Sequence, residues 1–457
     1  MRIVTATAVV LALASQAAPA ATAQQPATDG IWRMEGYGTV LSIRNGTLQE
    51  YQTTAVSCLQ GDSAQRTGPG TYAMSDGVVL TVRAQADRDH ASMRADGDVG
   101  SRNLRRIPAL PDACARPTAE DPRTAFDVFW QTFEENYPFF ASKGIDWHKV
   151  RDQYRPGVHA GTTRDELYAV FTEMVQPLYD AHVVVQDGDH HFYQVRPGTV
   201  VPSGELDSEV KKFIVERDLK DARNLQDFAQ GRITYADLPG GQGYLRISGF
   251  AGYAGDRAYA AQLAELDRAL DTVLSQERTR RLKGLIIDLR INGGGDDALG
   301  LHIAERLTDT PYLAYSKRAR NDPADPTQHT RPQPAYVTPA QGPHYTGPVA
   351  VLTGGSTVSA GETFTQALMD RPDKTVRIGQ PTQGVFSDVM VRKLPNGMSA
   401  GLPNEEFLTR SGRTFDGTGI PPHLTEPVFT KDEFDKKRDS AFDRAVNVLR
   451  KTGVTAS

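Results

Sequence analysis

The stretch GPVAVLTGGSTVSAGETF, residues 347–364, joins a short apolar run to a helical pattern through two glycines. The run VAVLT is typical of a buried strand, and SAGETFTQALMD, residues 359–370, is typical of a helix. Ser356, Thr357 and Ser359 lie between the two. A strand that ends in a tight turn before a helix is the repeating unit of an α/β fold.

The same alternation continues on both sides of this stretch. Strands are predicted for GYLRIS, KGLIIDLRI and TVRIG, and helices for AYAAQLAELDRALDTVLSQ and ALGLHIAERL. The predicted fold class is therefore α/β, with helices covering a largely parallel sheet.

Three further regions precede this core. Residues 1–23 show a signal-peptide pattern with a cut after Ala23, and an uncleaved membrane anchor is the alternative. Short alternating runs between Asn-Gly, Gly-Pro-Gly and Asp-Gly turns predict a small antiparallel β-domain over residues 30–110. Apolar residues at helical spacing predict a helical, cap-like domain over residues 120–190, and the α/β core is expected over residues 191–450.

Composition excludes several partner classes. The 457 residues carry a formal net charge of -5, so no basic surface for nucleic acid is expected. No segment after the signal peptide is apolar enough to span a membrane, and we expect an exported, periplasmic or extracellular protein. In such an oxidising compartment Cys58 and Cys114 most simply form a disulfide, with two buried thiols as the alternative.

Ser359 has two interpretations. At the start of a helix its hydroxyl could act as a nucleophile, because the helix dipole stabilises negative charge there. Ser359-Ala-Gly-Glu362 is equally the spacing of a capping box, which requires no chemistry. The residues around Ser359 leave both interpretations open.

A second strand-to-helix turn carries three glycines, residues 293–295, after LIIDLRIN. Consecutive glycines let backbone N–H groups approach a developing oxyanion. The alternative is a tight turn in which Asn292 or Asp296 caps the next helix.

A serine nucleophile needs a base and an acid. Among the ten histidines, His182 is the best candidate because it lies at the boundary between a predicted helix and the strand AHVVVQDG. His190 and His191 lack a metalloprotease spacing and are expected in a solvated turn, so no metal or other cofactor is predicted. The acid candidates are Asp388, Glu405, Glu406 and Asp416.

Taken in chain order, these motifs resemble the serine peptidase family of C-terminal-processing proteases and the tricorn protease core. The resemblance covers roughly residues 126–422 and rests on DVFWQTFEENYPFF, LYDAHVVV, GYLRISGF, IIDLRINGGGD, VLTGGSTVSAGETF, GQPTQG, LPNG and DGTGIPP. It implies a crotonase-like (ClpP/crotonase) core of β-β-α units and hydrolysis of peptide or protein substrates.

The same resemblance implies a set of site residues. They are Ser359 as nucleophile, His182 as general base, Asp416 where the tricorn branch has a glutamate, and the backbone N–H groups of Gly294, Gly295 and Ala360 as an oxyanion hole.

The chain departs from the family pattern in four respects. GQPTQGVFSD lacks the lysine base of the C-terminal-processing branch, and Ala181 stands where the tricorn enzyme has a serine. Asp416 is shorter than glutamate, and no peptide-binding PDZ segment is recognisable. A non-catalytic carrier of a small apolar ligand, like the related retinoid-binding repeats, is therefore the alternative function, and a paired-carboxylate glycosidase is a weaker one.

Overall fold

The computed structural model describes residues 27–453, without the side chains of residues 452 and 453. The predicted signal peptide lies outside the described residues. Within them, no helix combines the length and the apolar character needed to cross a membrane.

Residues 30–107 form a closed antiparallel barrel of eight strands. The strands are β1 (Gly30–Met34), β2 (Thr39–Arg44), β3 (Thr47–Thr54), β4 (Ser57–Gly68), β5 (Thr71–Met74), β6 (Val79–Ala84), β7 (His90–Ala95) and β8 (Arg102–Ile107). Each strand pairs with the next, and β1 also pairs with β8. The structure thus confirms an antiparallel β-domain and shows in addition that it is closed.

A disulfide joins β4 to the segment that leaves the barrel. Cys58 and Cys114 are bonded, as the sequence predicted. The hydroxyl of Thr118 donates to the carbonyl oxygen of Cys58 (3.3 Å), which adds a second tie at the same place.

Three helices follow, α1 (Pro122–Asn136), α2 (Trp147–Tyr154) and α3 (Arg164–Val175). Each begins at a capped N-terminus, and the cap residues are Asp121, Asp146 and Thr163. Their apolar faces enclose an aromatic core around Phe129 and Phe133.

This helical core also packs on a small sheet whose strand order is β10-β9-β23-β22. The strands are β9 (Val184–Asp187), β10 (His190–Tyr193), β22 (Val389–Lys393) and β23 (Ser399–Pro403). The domain boundary predicted between residues 190 and 191 therefore falls inside β10. His190 and His191 are exposed but lie in that strand and not in the turn that was expected.

The centre of the molecule is a seven-stranded sheet with the strand order β11-β12-β13-β14-β19-β21-β25. Its strands are β11 (Arg223–Phe228), β12 (Ile233–Leu238), β13 (Gln242–Ile247), β14 (Gly284–Asp288), β19 (Val349–Thr353), β21 (Thr375–Gly379) and β25 (Leu424–Thr425). The pairs from β13 to β25 are parallel, which confirms the largely parallel sheet.

Helices cover both faces of this sheet. Leu285 and Ile287 of β14 face one core, whereas Ile286 faces the other. The covering helices are α4 (Gly204–Arg217), α5 (Tyr259–Val273), α7 (Asp297–Glu305), α8 (Ala360–Ala367), α9 (Lys431–Asp435) and α10 (Ser440–Gly453). The short helix α6 (Gln276–Arg281), which has no buried residue, connects α5 to β14. Burial on both faces explains why the parallel strands are continuous apolar runs.

Two smaller groups of strands complete the core. The two-stranded pair β15 (Ile291–Asn292) and β20 (Ser356–Thr357) extends β14 and β19 toward the following turns. An antiparallel arm, which the sequence did not indicate, consists of β16 (Tyr312–Asp322), β17 (Asp325–His329), β18 (Gln333–Val337) and β24 (Glu405–Leu408).

Candidate active site

Ser359 lies between β20 and α8 in an unusual backbone conformation. Its φ is 55° and its ψ is -121°, which is sparsely populated for any residue other than glycine. Every residue of α8 is buried, whereas Ser359 at its N-terminus is partly exposed. Backbone strain of this kind persists only where the surroundings impose it, and it concentrates at functional sites.

Glu362 holds the backbone of Ser359 from behind. Its Oε2 accepts the N–H of Ser359 (3.2 Å) and of Val385 (2.8 Å), while its Oε1 accepts the N–H of Gly384 (2.6 Å). The glutamate half of a capping box is thus formed, since the Glu362 side chain accepts the backbone N–H of Ser359. Burial raises the pKa of Glu362 to about 7, although hydrogen bonds to Thr382 and to these N–H groups oppose the rise.

We call residues 385–388 the strap, because this segment runs from Ser359 to His182. The carbonyl oxygen of Val385 accepts the N–H of Ser359 (3.1 Å). A hydrogen bond with the backbone of Ser387 and the charge of Asp388 both raise the pKa of the His182 imidazole. Extended chain advances about 3.3 Å per residue, so the strap brings these distant residues into one neighbourhood.

The glycine turn packs directly against Ser359. Gly294 has a φ of 80°, and a Cβ at this position would lie 2.6 Å from the Cβ of Ser359 and 3.2 Å from the backbone nitrogen of Ala360. No side chain fits in this space. Glycine is therefore required here for the close approach as well as for the conformation.

The N–H groups of the turn differ in their availability. The N–H of Gly294 donates to Asn292 Oδ1 (2.9 Å), and its carbonyl oxygen accepts from Phe250 (2.7 Å). Because C=O and N–H point in opposite directions across a trans peptide, the N–H of Gly295 points away from Phe250. Within residues 27–453 the N–H groups of Gly295 and Ala360 have no hydrogen-bond partner.

Asn292 and Asp296 divide the structural tasks of this turn. The amide of Asn292 donates to Ile247 (2.8 Å) and closes the turn on Gly294, so it does not cap α7. Asp296 occupies the N-cap position of α7 but makes no side-chain cap bond.

His182 precedes β9 and is half-buried. Burial lowers the pKa of His182, against the opposing influence of Asp180 and Asp388. Its Nδ1 is buried without a hydrogen-bond partner among the described residues. The imidazole is consequently neutral at neutral pH, which is the protonation state that a general base requires.

Asp180 is a carboxylate near His182 that the sequence reasoning missed. Its Oδ1 accepts the backbone N–H of His182 (3.1 Å), and its Oδ2 accepts the hydroxyl of Tyr137 (2.8 Å). The only signal in the sequence was its position two residues before the histidine in LYDAHVVV.

Asp416 contacts the strap. Its Oδ1 accepts the N–H of Phe386 (3.3 Å), and its Oδ2 accepts the hydroxyl of Thr414 (2.6 Å). Burial raises the pKa of Asp416 well above its usual value, and the charge of Asp180 raises it further.

Two of the other acid candidates are paired elsewhere. Glu405 accepts from Lys317 (3.1 Å), and Glu406 accepts from Arg318 (2.7 Å), both within the antiparallel arm. Asp388 lies 3.7 Å from Lys317, and it is the acid candidate whose charge raises the pKa of His182. The residues that the structure describes contain no group of three or more histidine, cysteine or carboxylate side chains arranged to hold a metal ion.

Comparison with known proteins gives two family matches. Residues 241–425 match peptidase family S41, and residues 118–176 match the tricorn protease C1 domain. The first stretch contains Ser359 and the glycine turn, and the second covers α1 to α3.

Two curated relatives are carboxyl-terminal-processing peptidases. The protease from Bartonella bacilliformis is 26% identical over 217 residues, which is 47% of this chain and 45% of the relative. The chloroplastic peptidase 2 from Arabidopsis thaliana is 29% identical over 159 residues, which is 34% of this chain and 28% of the relative. The chain thus spans less than half the length of these relatives.

Solved structures share the fold. A candidate peptidase from Parabacteroides merdae superposes with a TM-score of 0.61 at 24% identity, over 74% of this chain and all of the other. Mature CPAF superposes with a TM-score of 0.52 at 12% identity, over 74% of this chain and 98% of the other. Residues 241–425 therefore match a domain of peptidase family S41, and the chain is similar to carboxy-terminal-processing and tricorn peptidases.

Proposed function

We propose that this protein is an exported serine peptidase that hydrolyses peptide bonds through an acyl-enzyme on Ser359. The observation that carries the proposal is the strained backbone of Ser359, which places a partly exposed hydroxyl at the N-terminus of a buried helix and against a glycine turn. A helix cap alone needs neither the strain nor the contact with Gly294.

In the proposed first step, His182 accepts the hydroxyl proton while Ser359 Oγ bonds to the carbonyl carbon of the substrate. The carbonyl oxygen becomes an oxyanion, which the N–H groups of Gly295 and Ala360 stabilise. Because the N–H of Gly294 already donates to Asn292, we propose that Gly294 shapes the oxyanion hole but does not donate to the oxyanion.

The intermediate then collapses. The carbon–nitrogen bond breaks, and the leaving amine takes the proton from the His182 imidazolium. Water then attacks the ester carbon while His182 accepts a proton from it. The bond between that carbon and Ser359 Oγ breaks, Oγ takes the proton back from His182, and the acid product leaves. No step requires a cofactor. Asp180 and Asp388 stabilise the imidazolium by charge, and Asp416 supports the strap.

Three architectural assignments accompany this proposal. We infer that the core is of the crotonase-like type, that residues 1–23 direct export, and that the barrel and the helices act as separate regions around the catalytic core. The disulfide between Cys58 and Cys114 supports export, because such bonds persist in oxidising compartments.

The test is covalent labelling with a fluorophosphonate probe. We expect the native protein to be labelled at Ser359, and Ser359→Ala to lose both labelling and peptide cleavage while keeping its thermal unfolding temperature. His182→Ala should lose activity to a similar extent, because members of one catalytic unit are not additive. A folded native protein that is not labelled would instead identify the non-catalytic ligand carrier.

A further inference from the structure

The eight-stranded barrel is not completely filled by its own side chains. Trp32 and Tyr72 belong to its packed core and do not line a cavity. Elsewhere in the interior there is a cavity of about 200 Å³. Its apolar lining consists mainly of Met34, Leu41, Leu48, Ala64, Leu80 and Met93. Barrels of eight strands are just wide enough to hold one small ligand when side chains leave room.

The cavity reaches the proposed catalytic site. Its mouth is formed by Asp388 at the end of the strap and by Val389, Met390 and Arg392 of β22. Asp388 is also one of the carboxylates that act on His182. A molecule that fills the barrel cavity therefore lies next to the strap.

The charged groups at the mouth are already paired. The contacts are Arg392 to the hydroxyl of Thr39 (3.2 Å), Arg102 to Asp98 (3.2 Å), and Asp62 to Lys393 (2.8 Å). Arg392 thereby fastens β22 to the barrel. What remains for a ligand inside the cavity is an apolar surface with four methionine side chains around it, including Met74 and Met390, which suits apolar groups of varied shape.

β22 also presents an open backbone edge at the cavity mouth. The N–H of Lys393 donates to Gln52 Oε1 of the barrel (2.9 Å), so it points away from the partner strand β23. In an antiparallel pair this direction repeats at every second residue, which places the backbone groups of Val389 and Val391 on the open side. Within the described part of the chain these groups have no partner, and the two side chains are 39% and 59% exposed.

We propose that the barrel cavity is the pocket for one apolar side chain of an extended peptide substrate, whose backbone pairs with the open edge of β22. The inference rests on the proposed peptidase function, because the peptide is its substrate. Extended peptides bind sheet edges through their backbone, and alternate side chains enter pockets. Side chains of the added strand that project in the same direction as Met390 and Arg392 face the cavity.

The size of the cavity limits the side chain. A cavity of about 150 Å³ lined by apolar residues binds benzene. The barrel cavity is somewhat larger, so it accommodates the side chain of Leu, Met or Phe and excludes a charged one. The barrel thus takes over substrate selection in a chain without a recognisable PDZ segment.

The test measures binding separately from cleavage. Fluorescent peptides of alanine, in which one position at a time carries Leu, Phe or Lys, are titrated against Ser359→Ala. We expect a position at which Leu or Phe binds at least about 10-fold more tightly than Ala and at which Lys weakens binding. Ala64→Leu, which fills the cavity, should abolish this preference.

Met74→Phe fills the cavity from its partly exposed side and covers the case in which Ala64→Leu fails to fold. Val78→Phe is the matched control, because Val78 is exposed on the barrel and does not line the cavity. It should retain the preference. Thermal unfolding verifies that each variant is folded.

The outcomes separate the two proposals. Apolar preference in Ser359→Ala, without cleavage by the native protein, overturns the peptidase and supports the pocket. Cleavage without any preferred apolar position, or a preference that persists in folded Ala64→Leu and Met74→Phe, overturns the pocket and leaves the peptidase intact.

Discussion

At the scale of the residue, Ser359 combines a reactive position with a strained backbone. A positive φ costs a serine on the order of 1–3 kcal/mol, whereas glycine adopts it without steric penalty. The free energy that holds Ser359 in place comes from contacts with Gly294 and Glu362. Stability at this position is therefore expected to trade against activity.

Ser359→Gly should accordingly be inactive but more stable than Ser359→Ala, by about 1 kcal/mol in the free energy of unfolding. Both variants lack the hydroxyl, so the alanine variant is the matched control for its loss. Urea denaturation measures the difference. A glycine variant that is less stable than the alanine variant would show that the positive φ imposes no strain.

The lowered pKa of His182 determines the expected pH dependence of catalysis. A neutral imidazole is the active base, so kcat/KM rises with pH through the pKa of His182 and then reaches a plateau. Because burial lowers this pKa from 6.5, the rise should lie below pH 6.5.

Asp388→Asn removes a carboxylate that raises the pKa of His182, so it should shift the rise of kcat/KM to lower pH. Asp435→Asn, a change on the surface far from His182 in the chain, is the control and should leave the profile unchanged. A shift to higher pH in Asp388→Asn would contradict this assignment.

Sequence reasoning selected Ser359, His182 and the glycine turn as candidates because each lies at a recognisable boundary between a strand and a helix. It could not find which carboxylates act on His182. The charges of Asp180 and Asp388 raise the pKa of His182, because a bend after α3 and the strap bring these carboxylates near it. Asp416 instead accepts the backbone N–H of Phe386. Such contacts depend on loop geometry, which has no period in the sequence.

At the scale of the element, the strap and α8 depend on one buried carboxylate. Glu362 is the common acceptor for N–H groups of Ser359, Gly384 and Val385. The N–H groups of Gly384 and Val385 would lose their partner if the carboxylate were removed, whereas Ser359 would keep the carbonyl oxygen of Val385. An unsatisfied buried donor costs about 1–3 kcal/mol.

Glu362→Ala is therefore expected to destabilise the protein by at least about 2 kcal/mol and to lower kcat at least about 10²-fold, because the strap would no longer hold Ser359 near His182. Denaturation and steady-state kinetics measure the two effects. Glu166→Ala, which removes the capping glutamate of α3 on the surface, is the control and should leave kcat unchanged. Normal turnover in a folded Glu362→Ala protein would show that Glu362 is not needed to hold Ser359 near His182.

The elements themselves were predictable to different degrees. Buried parallel strands such as β14 and β19 are continuous apolar runs, so their type could be read directly. The arm strand β16 contains YLAYSKRARND, in which charged residues interrupt the pattern. Its buried Lys317 and Arg320 donate to Glu405 and to the carbonyl oxygen of Glu134, distant partners that only the folded chain supplies.

At the scale of the whole molecule, the disulfide fixes the exit of the barrel chain to β4. Cys58 and Cys114 are 56 residues apart, and closing a loop of this length stabilises the folded state by about 4 kcal/mol in the chain-entropy model.

A double Cys58→Ser, Cys114→Ser variant should lose on the order of 2–4 kcal/mol in the free energy of unfolding. The native protein measured in the presence of a reductant should show a similar loss, whereas the double variant should be insensitive to reductant. Equal stability of the native protein with and without reductant would contradict this prediction.

The order of the site residues along the chain has a consequence for synthesis. All pairings of the barrel lie within residues 30–107, but the central sheet is complete only when β25 joins β21 at residues 424 and 425. His182 and Ser359 both lie between the barrel and β25 in the chain, and the strap follows both. A polypeptide emerging from the ribosome can thus fold its barrel early, whereas the sheet beside Ser359 is completed only after residue 425 has emerged.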